Sequence, residues 1–349
     1  HNLGSWAEVV SSMEYEMAKR LGVKSSHIVF NGPFKPYQVL KEVISDGAVV
    51  NVDNLDEIYD LEKIALDMEI KIDIGIRVNM ALGTYMAWDR FGFSLESGSA
   101  FQAARRAVSG EKINITGLHA HIGTFILDAD IYRIEVEKLI EFSKKLKDEL
   151  GVSIKYIDIG GGFASHNSLK GTYLSTVDNV PSFDRYAEAI CEPLLSHFKP
   201  DELPLLILET GRALIDEAGI LVTTVCATKR LNNGMRAIIV DAGVNLLFTS
   251  FWYNHEIIST VDRGYPMEDH VIYGPLCMQI DVIRPQIKLP YLEKKDAIII
   301  RPVGAYNNTQ WMQFIHLRPK VVMISSKGEV SIIRETETVD YLQELERLP

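Results

Sequence analysis

The chain has 349 residues, 47% of them hydrophobic and 24% charged, with a formal net charge of −11. That composition excludes a mainly disordered chain, a collagen and a small disulfide scaffold, and the negative charge argues against a general nucleic-acid binder, which needs a basic face to neutralise phosphates. No apolar run reaches the ~18 residues of a membrane span, no basic start and apolar core of a signal peptide opens the chain, and the three cysteines, Cys191, Cys226 and Cys277, are odd in number and in no metal spacing, which fits a reducing, cytoplasmic setting.

Through residue 215, short β-branched runs alternate with amphipathic stretches, the pattern of βα units on a parallel sheet. Strands are expected at residues 8–11, 27–31, 48–52, 71–78, 114–121, 154–159 and 205–209. Ser11 and Ser12 are good N-cap residues for a helix over 13–21. A helix over 55–68 places Leu55, Ile58, Leu61, Ile64 and Ala65 on one face, and a helix over 131–150 does likewise with Lys and Glu outside. Seven strands are one short of an eight-stranded barrel. The sequence starts at His1 without an initiator Met, so the eighth strand is expected upstream.

After Arg212 the texture changes. Residues 218–228, 237–240, 272–273, 297–302, 321–324 and 330–334 read as short strands with little helix between them, a mostly antiparallel β domain. Asn232-Asn233-Gly234 and Ser326-Lys327-Gly328 are hairpin-type turns, and residues 340–348 a closing helix. The expected organisation is an α/β barrel over residues 1–215 and a C-terminal β domain over 216–349.

Three clusters carry chemistry. Gly160-Gly161-Gly162 follows a strand at the C-terminal end of the expected barrel, where glycines let backbone N–H groups face an anion such as phosphate; a plain tight turn is the alternative. Glu209-Thr210-Gly211-Arg212 ends another strand. Arg212 suits a phosphate and Glu209 a protonated heterocyclic nitrogen, or the two form an ion pair. His119 and His121, two apart on a strand, face one side, as a metal pair or with one ring stacked on a planar cofactor; a satisfied core histidine is the alternative for His119.

Taken in order, Asn31-Gly32-Pro33, Asn51-Val52-Asp53, His119 to Thr124, Asp158 to Phe163, Glu209 to Arg212, Asp241-Ala242-Gly243, Gly274-Pro275-Leu276-Cys277 and Gly304-Ala305-Tyr306 resemble the motif series of the fold-type III pyridoxal-phosphate decarboxylases, a group that includes ornithine, arginine and diaminopimelate decarboxylases. The resemblance covers nearly the whole chain. It implies an alanine-racemase-like (β/α)8 barrel followed by a mostly antiparallel β-barrel-like domain, with pyridoxal 5'-phosphate as cofactor. It also implies a homodimer with shared active sites acting on a small amino-acid or carrier-bound substrate, without nucleic acid, membrane or metal. His121 is expected to stack on the cofactor ring and Glu209 to bond its nitrogen. Thr124, Gly161, Gly162, Thr210, Gly211, Arg212 and Tyr306 are expected around the cofactor and its phosphate. Cys277, from the partner subunit, is expected to return a proton after CO2 leaves. A carboxylate at Glu209, rather than the arginine of the related racemases, favours decarboxylation.

This sequence departs from that pattern in several places. The lysine that holds the cofactor in the family has no counterpart here and is expected shortly before His1. Glu8 replaces an aspartate. At the substrate-reading positions Met278 replaces an acid, Asn254 after Tyr253 replaces another, and Thr249 stands for the arginine of the diaminopimelate enzymes. With Asp281 four residues after Cys277, these differences point towards a substrate that is conjugated or carrier-bound rather than a free diamino acid. A catalytically inactive, cofactor-binding homologue serving as a regulatory partner is the second reading.

Overall fold

A computed structural model describes residues 1–83, 85–172 and 177–347. The contacts divide the chain into one unit of His1–Ala164 with Pro181–Gly211 and another of Ser165–Val180 with Arg212–Pro349.

The first unit contains β1 (Ala7–Val9), β2 (Ile28–Phe30), β3 (Val49–Val52), β4 (Ile72–Asn79), β5 (Phe93–Ser94), β6 (Ile113–Ala120), β7 (Tyr156–Asp158) and β8 (Leu205–Ile207). They hydrogen-bond in the order β1-β2-β3-β4-β6-β7-β8, all parallel, with β5 beside β4. Helices α1 (Ser12–Arg20), α2 (Tyr37–Ser45), α3 (Leu55–Asp67), α4 (Ser99–Ser109), α5 (Asp130–Leu150) and α6 (Phe183–His197) lie between them in sequence. This is the curled parallel sheet of a TIM-like barrel, as the alternation of βα units predicts.

Local sequence explains the boundaries. The Ser11 hydroxyl accepts the Glu14 N–H at 3.2 Å and the Glu14 carboxylate accepts the Val10 N–H at 2.8 Å, so β1 stops early and α1 starts. Asn54 caps α3 by accepting the Glu57 N–H. Ile58, Leu61, Ile64 and Ala65 are buried along α3, whereas Leu55, expected on the same face, is 43% exposed in the first turn.

The second unit contains α7 (Arg212–Ile215), β9 (Leu221–Arg230), β10 (Arg236–Val240), β11 (Glu256–Ser259), β12 (Glu268–Tyr273), β13 (Val282–Leu289), β14 (Ala297–Arg301), β15 (Val321–Ile324), β16 (Val330–Arg334) and α8 (Val339–Gln343). Its main sheet runs β11-β14-β9-β10-β12-β13, antiparallel except for the parallel β10–β12 pair. Val225, Ile238, Val240, Ile272, Ile283, Ile298 and Ile300 fill its core. β11 and β13 were not expected from sequence. Both are edge strands, and β13 carries Pro285, which an edge tolerates because one row of N–H groups needs no ladder partner. The expected closing helix over 340–348 is shorter; Leu348 lies outside the described residues. Among the described residues no helix is long and apolar enough to cross a membrane.

Candidate active site

Parallel strands deliver their following loops to one end of the sheet. At that end of the first unit stand Asn31 after β2, Asp53 after β3, His121 after β6, Gly160 to Gly162 after β7 and Glu209 after β8. Two registered rows lie on the strands below. One is Arg77–His119–Asp158 across β4, β6 and β7; the other, two residues earlier, is Asn51–Gly75–Gly117–Tyr156 across β3, β4, β6 and β7. Alternation along a strand places the two rows on one face.

Glu209 sits where these residues converge. The Asn31 side-chain amide donates to Glu209 Oε1 and, at 3.1 Å, to Glu8 Oε1. His119 Nε2 lies 3.3 Å from Glu209 Oε1. Burial alone raises the Glu209 carboxyl, but His119, His121 and a hydrogen bond from Asp158 outweigh it and hold the group at about 2. Asp158 moves oppositely: burial and the facing Glu209 push it well above the usual carboxylate range, so Asp158 is the member that carries the proton. Glu8 is pushed up to about 8 by burial and by Glu209. Arg77, 3.5 Å from Asp53, adds a buried positive charge, and Glu135, fully buried on α5, is held protonated by its burial. Burial lowers both histidines below the usual imidazole range, His121 to about 4, against the opposing pull of Glu209.

The two histidines do not form the metal pair that was one alternative from sequence. His119 faces Glu209 and Asp158, whereas His121 stacks on Trp88 with centroids 5.3 Å apart and planes 9° apart. The Gly123 N–H donates to His121 Nδ1 at 3.3 Å, leaving the proton on Nε2. Nor is His119 a satisfied core histidine, since its only polar neighbour at ion-pair distance is Glu209 and neither nitrogen makes a well-aligned hydrogen bond among the described residues. Trp88 escaped the sequence reading because it lies between strands, in a segment without periodicity.

The glycine run is a tight cradle. A Cβ on Gly161 would stand 2.7 Å from the Glu209 carbonyl oxygen, and one on Gly162, at φ +94°, 2.5 Å from the Gly123 carbonyl oxygen. The N–H groups of Gly161, Gly162, Thr210 and Gly211 have no acceptor among the described residues. Thr124 is exposed on the loop after β6.

In the second unit the Arg212 guanidinium lies 4.8 Å from the ring centroids of both Tyr253 and Tyr306, and 3.9 Å from Asp216. Its Nη1 is buried without a hydrogen-bond partner. Within its own unit each of the two charged residues weighed as a pair from sequence has a partner, His119 for Glu209 and Asp216 for Arg212. Cys277 is exposed on the loop before β13. Asp281 closes that loop: its buried carboxylate accepts the Val244 N–H at 2.8 Å and the Leu276 N–H at 2.7 Å. Met278 and Asn254 are half-buried. The Thr249 hydroxyl is buried against Asn307 at 2.8 Å and His255 at 2.9 Å.

A buried, ionised carboxylate beside a cradle of free N–H groups is the donor set of a site for a protonated heterocycle bearing a phosphate. The pyridoxal-binding domain of the pyridoxal-dependent decarboxylases matches residues 1–216 as a family model. The chain belongs to this family. It is 31% identical over 348 residues to the diaminopimelate decarboxylase of Methanocaldococcus jannaschii, covering 96% of this chain and 77% of that protein. It is likewise 31% identical to the Aquifex aeolicus diaminopimelate decarboxylase, covering 98% and 80%. The crystal structure of the M. jannaschii enzyme superposes with a TM-score of 0.89 at 30% identity, over 100% of this chain and 80% of that one. The chain is a pyridoxal-phosphate-dependent amino-acid decarboxylase, a lyase.

Proposed function

We propose that this decarboxylase removes the α-carboxyl group of a free amino acid whose distal end is neutral or acidic. The observation that carries the reading is Glu209, buried yet ionised between Asn31 and His119. When bound, pyridoxal phosphate supplies an electron sink for the bond to the departing carboxyl, and a protonated ring nitrogen makes that sink effective. Glu209 holds that proton on the nitrogen. His121, kept flat by Trp88, offers its other face to the ring. Gly161, Gly162, Thr210 and Gly211 offer N–H groups to the phosphate, with Thr124, Arg212 and Tyr306 adding hydroxyls and a guanidinium. Cys277, supplied from the partner subunit of the dimer, returns the proton to the product carbon. The assignment of cofactor binding to residues 1–215 and of dimer and active-site contributions to residues 216–349, in a cytoplasmic homodimer, completes the proposal.

The relatives bear on the substrate. Those described above are diaminopimelate decarboxylases; diaminopimelate carries a distal carboxylate and is not a conjugate. The conjugated or carrier-bound substrate is therefore set aside, as is the inactive homologue. Diaminopimelate, grouped from sequence with the disfavoured diamino acids, moves into the accepted class. A lone distal ammonium remains disfavoured, because sealing a charge in a site costs several kcal/mol unless an anion meets it. Met278 and Asn254 offer none, and both Asp281 oxygens are engaged by backbone N–H groups. Tyr253 lines the same loop cluster as Asn254 in the sequence.

The test is CO2 release by the full-length, cofactor-loaded protein from diaminopimelate, acidic and neutral amino acids, lysine and ornithine. Lysine and ornithine are expected to lag the best substrate by ~10² or more in kcat/KM. Lysine or ornithine turned over as fast as the best substrate, with Met278→Asp giving no gain, would overturn the substrate assignment.

A further inference from the structure

The Asn51–Gly75–Gly117–Tyr156 row has a feature that strand pairing alone does not require. Its two ends are large polar residues and its two middle positions are glycines. Neither glycine has a positive φ, so their need for hydrogen at Cβ is one of space. A Cβ on Gly117 would overlap the Tyr156 ring, and one on Gly75 would overlap both the Tyr156 hydroxyl and Asn51 Oδ1. The glycines open a slot across two strands, and the Tyr156 ring lies in it. On a flat sheet Tyr156 and Asn51 would stand about 14 Å apart, three strand spacings. The curl of the sheet and the length of the tyrosine close that gap, and the Tyr156 hydroxyl reaches Asn51 Oδ1 at 2.7 Å.

From there the hydrogen bonds run in one direction. Tyr156 O–H donates to Asn51 Oδ1. Asn51 Nδ2 donates to Asn31 Oδ1 at 2.8 Å. Asn31 Nδ2 then donates to Glu8 and to Glu209. An asparagine amide can be turned end for end at little cost unless its neighbours distinguish oxygen from nitrogen. Here they do at both links. With Oδ1 of Asn31 satisfied by Asn51, its two N–H groups have only the carboxylates to meet. Reversal would aim an oxygen at two acidic groups and leave two N–H groups facing each other. Asn31 and Asn51 are buried, at 2% and 1% exposure, and so is Tyr156, so water cannot take over a lost partner.

We infer that Tyr156 and Asn51, lodged over Gly75 and Gly117, are positioning residues that fix the Asn31 amide so that its two N–H groups hold Glu8 and Glu209 together. All three act through Glu209, and the consequence for turnover rests on the proposed role of that carboxylate. The other groups facing Glu209 are His119, His121, Asp158 and Arg77, with Glu135 further off, and they are unchanged by changes to the relay. Losing an N–H donor destabilises a carboxylate relative to its acid, so disruption of the relay raises the titration of Glu209 and raises Glu8 further.

The test uses full-length protein with 13C-labelled glutamate carboxyls, titrated without cofactor, in the parent, Tyr156→Phe, Asn31→Ala and the double variant. Thermal unfolding first establishes that each is folded; Tyr156→Phe removes one oxygen only. Tyr156→Phe is expected to raise the Glu209 and Glu8 midpoints, Asn31→Ala to raise them more, and the double variant to match Asn31→Ala. In the loaded enzyme Tyr156→Phe is expected to lower kcat about five-fold, the effect of one hydrogen bond, with KM little changed. Gly117→Ala, which fills the slot, is expected to reproduce the Tyr156→Phe titration. Carboxyl titrations unmoved by Tyr156→Phe, or effects that add in the double variant, would overturn the inference. Titrations that move while kcat does not would uphold the relay and remove Glu209 from its proposed catalytic role.

Discussion

The floor of the first unit and the Cys277 loop of the second are built on opposite terms. On the floor, Glu8, Asn31, Arg77, His119, Asp158 and Glu209 come from six different strands or the loops that follow them, and Asn31, Arg77, His119 and Asp158 are buried. A buried charge without a partner costs several kcal/mol, so each of these positions constrains the next and few substitutions are independent. The loop before β13 exposes Cys277 and Ile280, and one carboxylate, Asp281, braces it. Such a loop tolerates change at its tip at little cost to the fold.

The largest effect is expected where the floor is broken at its centre. Glu209→Gln keeps size and shape but removes the anion that holds a proton on the cofactor ring. Cofactor binding measured by absorbance titration should persist, while decarboxylation falls by ~10³, the order of losing one dedicated electrostatic group. A variant that turns over at the parent rate would give Glu209 another role.

Glu8 tests the same floor through pH. Burial and the neighbouring Glu209 push its carboxyl up to about 8 in the folded chain, above the ordinary 4.5 of an unfolded glutamate. Between those values the folded state binds the extra proton, so this group's contribution to stability falls as pH rises from about 4.5 to 8. Glu8→Gln cannot ionise and escapes that loss. Chemical denaturation should find it close to the parent at pH 4.5 and more stable than the parent at pH 8. Equal differences at both pH values would mean that Glu8 is ionised throughout.

Most of this architecture was legible because strand ends are punctuated. Gly160 to Gly162, Glu209 to Arg212 and the change of texture after Arg212 mark loops whose positions follow from parallel strands alone. The roles of Asn31, Asn51 and Tyr156 were not legible, because they depend on which residues share a register row, and register is a property of pairs of strands. Gly75 and Gly117 look like ordinary weak points in a strand until the Tyr156 ring is found above them. β11 and β13 were missed for the converse reason: at an edge, burial is one-sided and Pro285 breaks the local signal. Leu55 had the right spacing for the α3 core, yet in the first helical turn it is 43% exposed.

The cradle lies between the two extremes, buried like the floor but formed of loop backbone. Gly162→Ala adds a Cβ at φ +94° and 2.5 Å from the Gly123 carbonyl oxygen, which is backbone and cannot rotate away. The expected cost is ~2 kcal/mol of stability, with cofactor affinity lowered by more than ten-fold because the shifted loop re-aims the free N–H groups of Gly161 and Gly162. Gly171, also at positive φ but with nothing within 4 Å of its Cβ, is the control: Gly171→Ala should cost less and leave cofactor affinity unchanged. Equal affinity losses at both positions would separate the cradle from the phosphate.

The smallest effect is expected at Asp281, and it decides what that residue is for. Its spacing from Cys277 makes it a candidate to meet a substrate's distal charge, yet its oxygens accept the Val244 and Leu276 N–H groups at 2.8 and 2.7 Å. Gly243 and Gly274 leave room for it, since a Cβ on either would crowd its oxygens. Asp281→Asn keeps one acceptor and turns an NH2 group towards the other N–H, so one hydrogen bond is lost and two donors face each other. Stability should drop by ~1 kcal/mol, the net value of one such bond. Because the brace sets the whole loop, kcat/KM for every substrate in the panel should fall by the same factor. A selective loss for substrates with a distal ammonium, at unchanged stability, would instead place Asp281 in contact with the substrate and make this loop, like the floor, a site of buried charge.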